Sequence, residues 1–311
     1  MRANRLILFG PVIGIGALLL LVAACSPTVS GPIPGDPQKG KYIFEANGGC
    51  GCHGPNLAGY KAGGPAELPG SAPFGELFVG PFGSIPARNI TPDKDTGAGR
   101  MTDAQLVEAI RSGKNDKGDQ LFPIMPYNSF HFMADQDVSD LVSYLRTVPA
   151  VSNQVPERQL NGPVPPQPAL PPAPARAPES GLPRGDYLVS AISICGDCHT
   201  PTSSDGAPDR SKLLAGAVIP REGGRFETAN NITPDTDTGI GNWTEQQIVT
   251  LLKTGKRPDG TTVGGLMAGQ IVGGYSRLTD ADALSIAQFI KSIPAVKNLP
   301  EPPASPTSPR P

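Results

Sequence analysis

An excess of charge of either sign is what this chain lacks: 26 Lys and Arg stand against 28 Asp and Glu in 311 residues, so nothing advertises nucleic acid as a partner. Aromatic residues make up only 5% and the whole hydrophobic set 38%, a thin supply for a chain long enough to form two domains. No nucleophile paired with a base, and no Gly-rich nucleotide loop, is visible. Histidine and cysteine are scarce, at three and five, so the places where they gather carry information. Glycine and proline, at 38 and 37, are what the chain has in quantity.

The scarce residues cluster twice. Cys195-Gly196-Asp197-Cys198-His199 is a C-x-x-C-H run, the attachment pattern of a c-type haem. Two thiols one helical turn apart add to the two vinyl groups of a porphyrin, and the adjacent His is held beneath the iron. A bare C-x-x-C also suits a redox dithiol or half a zinc site. Zinc, however, needs four ligands, and no second Cys/His cluster at finger spacing lies nearby; thioredoxin-like chemistry needs a βαβ context that the surroundings lack. Cys50-Gly51-Cys52-His53 is a near copy with a spacer one residue short. Its Cys52–His53 adjacency is intact, which preserves the iron ligand and one thioether. Two haem c groups are expected, each covering part of the apolar deficit with its own surface.

The N-terminus reads as an export signal: Arg2 and Arg5, an apolar run over 6–22, then Ala23-Ala24-Cys25. Small residues before Cys25 are similar to a bacterial lipobox, with Cys25 lipidated; the alternative is an uncleaved anchor, since the run approaches the roughly 20 residues of a spanning helix. Either way the remainder is placed on the periplasmic side of a bacterial membrane. Residues 26–36 form a spacer. A Pro/Ala stretch over 153–183 reads as an extended, semi-stiff connector, and 300–311 as a tail of the same kind.

The two long segments between, 37–152 and 184–299, repeat each other. Residues 89–99, beginning Asn89-Ile90-Thr91-Pro92-Asp93, return as 231–241, beginning Asn231-Ile232-Thr233-Pro234-Asp235, with two changes. In register beyond them, Thr102 with Gln105 and Thr244 with Gln247 make capping boxes for helices ending at Gly113 and Gly255. Met125 then falls on Met267, and apolar periodicity predicts closing helices over 135–148 and 280–293. A short helix precedes each Cys/His motif, over 39–46 and 184–192. This order, helix, Cys/His motif, long loop, capped helix, Met loop and terminal helix, resembles the class I cytochrome c fold twice over, which implies an all-α architecture of two tandem domains. More narrowly, the N-I-T-P-D-x-D-T-G-x-G run and Phe122-Pro123-Ile124-Met125-Pro126-Tyr127 resemble cytochrome subunits of membrane-bound bacterial alcohol and aldehyde dehydrogenases.

A six-coordinate electron-transfer haem needs a second axial ligand, and a thioether raises the potential relative to a second imidazole. Met267 is the only Met of its segment. The first segment offers Met101, Met125, His131 and Met133, of which Met125 alone is matched by a Met in the repeat. The expected iron ligands are therefore His53 with Met125 and His199 with Met267. Asn89, Thr91, Asn231 and Thr233 can donate to haem propionates, although tight turns demand the same residue types. The expected role is electron transfer between a periplasmic dehydrogenase and a quinone pool, soluble cytochrome or terminal oxidase. The rival reading is a di-haem peroxidase, which needs an open distal position with acid/base groups above it.

Overall fold

A computed structural model describes residues 33–54, 56–61, 76–202, 208–221 and 225–302. Cys25, the candidate anchor, Pro55 and the end of the tail lie outside them. Among the described residues no helix is long and apolar enough to cross a membrane.

The first half begins with α1 (Pro37–Ala46), whose N-terminus is capped by the Asp36 carboxylate, and a 3₁₀ turn over Gly51–His53. Strands β1 (Leu77–Gly80) and β2 (Gly83–Pro86) form an antiparallel hairpin. Helix α2 (Asp103–Ser112), the short α3 (Tyr127–Phe130) and α4 (Asp135–Leu145) follow. After the connector strand β3 (Gln159–Leu160), the second half repeats the order with α5 (Gly181–Tyr187), α6 (Cys195–His199), the hairpin β4 (Ala217–Arg221) and β5 (Arg225–Ala229), α7 (Glu245–Thr254), α8 (Gly265–Gly273) and α9 (Asp280–Ser292). Both expected capping boxes are made, with Gln105 N–H on Thr102 Oγ1 and Gln247 N–H on Thr244 Oγ1, each at 3.2 Å. Both helices stop at glycines in the left-handed region, Gly113 and Gly255, at φ 63° and 73°, where a side chain would be strained.

In each half the first helix crosses the last at a glycine. A Cβ on Gly40 would lie far inside contact with the Asp140 carbonyl, and one on Gly185 inside that of Ser285. The missing side chains let Ile43, with Val138 and Leu141, and Leu188, with Ile286 and Ile290, pack into one continuous core. Gly40→Ala or Gly185→Ala is expected to push the crossing apart and cost about 1–3 kcal/mol, read from denaturant unfolding; an unchanged midpoint would contradict the close crossing.

Two features depart from the sequence reading. Helices dominate, yet the long loops of both halves contain antiparallel sheets, so the chain is not all-α. The connector is extended but lies along the first half: β3 adds to β2, the Asp135 N–H donates to the Pro174 carbonyl at 3.3 Å, and His131 Nε2 donates to the Pro171 carbonyl at 2.8 Å. Proline removes donors from a segment and leaves its carbonyls available as acceptors.

The halves share one buried core and a set of crossed contacts. Tyr42 Oη donates to Asp282 Oδ2 at 2.6 Å, while Tyr187 Oη donates to Asp137 Oδ2 at 2.7 Å. These are the same two positions of the repeat, each tyrosine reaching the aspartate of the other half. Tyr42 and Tyr187 hydroxyls also accept from the matching N–H groups of Thr279 and Ala134, at 3.2 and 2.9 Å. Arg184 adds a two-pronged ion pair to Asp282, at 2.8 and 2.9 Å.

Candidate functional site

Both Cys/His motifs open on one continuous cavity of about 2360 Å³, well beyond the roughly 300–1,000 Å³ of an ordinary small-molecule pocket. Cys50, Cys52 and His53 line it from the first half, Cys195, Cys198 and His199 from the second. Met125 and Met267 line it too, as do the unmatched Met101 and its repeat counterpart Trp243. Met133 also borders it but is buried in the core, 1% exposed. His131 does not reach it and is bonded to the connector instead.

The two motifs present their thiols differently. Cys195–His199 is one turn of α-helix, entered through Ile194 at φ 44°. The shorter copy is a 3₁₀ turn over Gly51–His53, entered through Gly48, Gly49 and Cys50 at φ 85°, 78° and 50°. Burial pushes the thiols of Cys50 and Cys195 up to about 12, with their companion cysteines adding to the shift. Such thiols are neutral at physiological pH, the reverse of the lowered value that activates a redox or nucleophilic cysteine. Among the described residues no three Cys, His, Asp or Glu side chains gather as a metal-binding group.

The imidazoles are oriented alike. His53 Nδ1 donates to the Arg88 carbonyl and His199 Nδ1 to that of Asn230, both at 2.7 Å. That bond fixes the tautomer and presents Nε2 for a metal. Burial, partly offset by the carbonyl, holds both below the usual imidazole range, so they are neutral, as ligation requires. The two accepting carbonyls immediately precede the duplicated Asn-Ile-Thr-Pro-Asp runs, the one signal by which sequence could have found them.

Asn89 and Asn231 line the cavity, and the side chains of both runs are also hydrogen-bonded within the protein. Asn89 Oδ1 accepts from Thr91 N–H and Oγ1 at 3.0 and 2.8 Å, and Asn89 Nδ2 donates to Thr96 Oγ1 and the Val151 carbonyl at 3.1 and 2.8 Å. Asn231 and Thr233 repeat this with Thr238 and Val296. Thr91 and Thr233 are fully buried. All four residues tie the loop to the chain that leaves the closing helix.

The sheets missed in the sequence hold the methionine segments. The Phe82 ring, in the β1–β2 turn, packs on Phe122 with centroids 4.9 Å apart, three residues before Met125. In the second half Glu227 of β5 accepts from the Leu266 N–H at 2.6 Å, one residue before Met267, which lies in the first turn of α8. Met125 precedes its helix and Met267 is inside one, so the shared register does not give the two segments one backbone.

The residues fit a c-type haem: neutral thiols beside a neutral, oriented imidazole, with a thioether on the same cavity. Residues 37–149 match the family model described as cytochrome c. The chain is 33% identical over 301 residues to a diheme cytochrome c-type protein of Cereibacter sphaeroides, covering 90% of this chain and 97% of that one. It belongs to the cytochrome c family, and with that membership go haem c and electron transfer. Further relatives are a fructose dehydrogenase cytochrome subunit from Gluconobacter japonicus, 35% identical over 83% of this chain, and the cytochrome c subunit of an alcohol dehydrogenase (quinone) from Gluconacetobacter polyoxogenes, 32% identical over 83%. The chain spans about half the length of these two, 52% and 56%. The peroxidase reading draws no support from these relatives.

Proposed function

We propose that the chain is a membrane-tethered di-haem cytochrome, with domains at 37–152 and 184–299, that relays electrons from a periplasmic dehydrogenase to a respiratory acceptor. The observation that carries this is the shared cavity, which both Cys/His motifs and both matched methionines line. In the first site Cys50 and Cys52 hold the porphyrin and His53 with Met125 the iron; in the second, Cys195 and Cys198, with His199 and Met267. Bound haem supplies a one-electron iron couple. The protein orients the imidazoles through the Arg88 and Asn230 carbonyls and steadies the methionine segments through the hairpins. Two of the three named relatives are cytochrome subunits of a fructose dehydrogenase and an alcohol dehydrogenase, which supports a dehydrogenase as electron donor. Tethering through Cys25 or an uncleaved anchor is supported by the sequence of residues 1–25.

Intact mass of the exported chain tests the reading, with two covalent haems and a lipid expected; one haem would remove a site from the relay. Met267→Ala is expected to abolish the sulfur-to-iron charge-transfer band of one haem, while His131→Ala leaves both bands in place. A band lost in the His131 variant would reassign the ligand.

A further inference from the structure

The connector that leaves the first half passes the first haem site and is fastened there at three points. Asn153 Nδ2 donates to the carbonyls of Ala58 and Tyr60 at 2.7 and 2.9 Å. Arg88 Nη1 donates to the Pro156 carbonyl at 2.9 Å, and Gln159 and Leu160 pair with Ser84 and Gly83 of β2. Arg158 sits between these anchors and lines the cavity. Its Nη1 is sealed from solvent and has no hydrogen-bond partner in the protein.

A buried polar atom with no partner costs about 1–3 kcal/mol, and more when charged, so such an atom in a ligand cavity points to a group that the protein itself does not supply. The guanidinium fork matches a carboxylate. A haem carries its two carboxylates on the propionates, and the asparagines and threonines of the duplicated runs are already engaged. We infer that Arg158 pairs with a propionate of the first-site haem, which makes the connector a wall of that site and raises its reduction potential above what the two ligands alone would set. This rests on the first haem being present, as proposed above. The repeat gives the second site no arginine in register: counting from Pro149-Ala150-Val151 against Pro294-Ala295-Val296, the matching position is Pro303, and the matching position to Arg88 is Asn230. The positive charge disfavours the oxidised, more positive iron centre, so the device acts on one haem of the pair.

The full-length exported protein and its Arg158→Gln and Arg158→Lys variants test this by spectroelectrochemical titration alongside intact mass. Two haems are expected in all three. In Arg158→Gln one midpoint falls by at least a tenfold change in the oxidised-to-reduced ratio, about 59 mV for a one-electron couple, and the propionate bending band in resonance Raman moves. The other midpoint stays put, and Arg158→Lys restores most of the shift. Arg158→Gln placed in a Cys52→Ala/His53→Ala background leaves the surviving midpoint where it was. Two haems with both midpoints unmoved overturn the inference, as does an equal movement of both, which marks general loosening of the fold. A single haem in the parent overturns the di-haem reading and this inference with it, and the mass tells that failure from the others.

Discussion

The exported chain with Cys50→Ala is expected to keep two covalent haems by intact mass, whereas Cys52→Ala with His53→Ala keeps one. Residues two apart on a regular helix point to nearly opposite sides, so a one-residue spacer cannot present both thiols from a single α-turn. The chain meets this by tightening the motif into a 3₁₀ turn that starts after Cys50. Cys50 is brought to the cavity by three consecutive left-handed residues. Glycine takes that conformation without penalty at two of them; Cys50 does so at a cost of about 1–2 kcal/mol. Its thiol rests 3.4 Å from Asn47 Oδ1, to which it donates. Cys52 and His53 follow each other as Cys198 and His199 do, and on the proposed reading they carry the indispensable link and the ligand. Pyridine haemochrome spectra give the second readout: loss of the Cys50 thioether leaves a vinyl group unsaturated and shifts the α band of that haem. Loss of the whole first haem in Cys50→Ala would show that both thiols are needed.

Asp282→Asn is expected to cost about 3 kcal/mol of stability at neutral pH, the scale of breaking one member of a buried ion pair, which in a domain of this size is roughly 6–12 °C in Tm. Arg184 and Asp282 side chains are only 16% and 10% exposed, and the change turns an acceptor that faces both a guanidinium and the Tyr42 hydroxyl into a donor. Burial pushes the Asp282 carboxyl up, but the Arg184 and Tyr42 hydrogen bonds outweigh it and hold the group below the usual carboxylate range. An acid held low in the folded state contributes stability above its unfolded value of about 3.9, and that contribution is lost as pH falls through the folded value. The difference between parent and variant should therefore be full at pH 6–7 and shrink as the pH falls below about 3.9 and on through the lowered folded value. At the repeat position of Arg184 stands Lys39, and burial raises the repeat partner Asp137 despite the Tyr187 hydrogen bond and the charge of Arg184. Asp137→Asn should then show no such loss of effect on acidification. A constant penalty across the pH range would place the Asp282 effect in packing instead of charge.

Much of this was legible in the sequence because it depended on local rules. Capping boxes, glycine stops and helix periodicity are set within a few residues, and the Thr102 and Thr244 helices lie where those rules put them. The Cys/His motifs are equally local. The hairpins were not, because Leu77 to Pro86 and Ala217 to Ala229 are interrupted by Gly and Pro and read as irregular loop; strand pairing there is decided by partners within the tertiary fold. The path of the connector along the first half was hidden for a related reason. Counting missing donors in a Pro-rich run ignores its carbonyls, and Arg88, His131 and the Asp135 amide find them. The repeat displayed Tyr42 with Tyr187 and Asp137 with Asp282, but nothing in a linear alignment says that each pair is made across the halves.

That exchange has a consequence for how the molecule is put together. Contacts in which position i of one unit meets position j of the other, and j meets i, are those that two identical subunits make about a two-fold axis. The chain therefore carries, inside one polypeptide, the self-complementary seam of a homodimer. Because the two copies are covalently joined, each side of that seam can change alone, as the Arg184 and Lys39 positions already have.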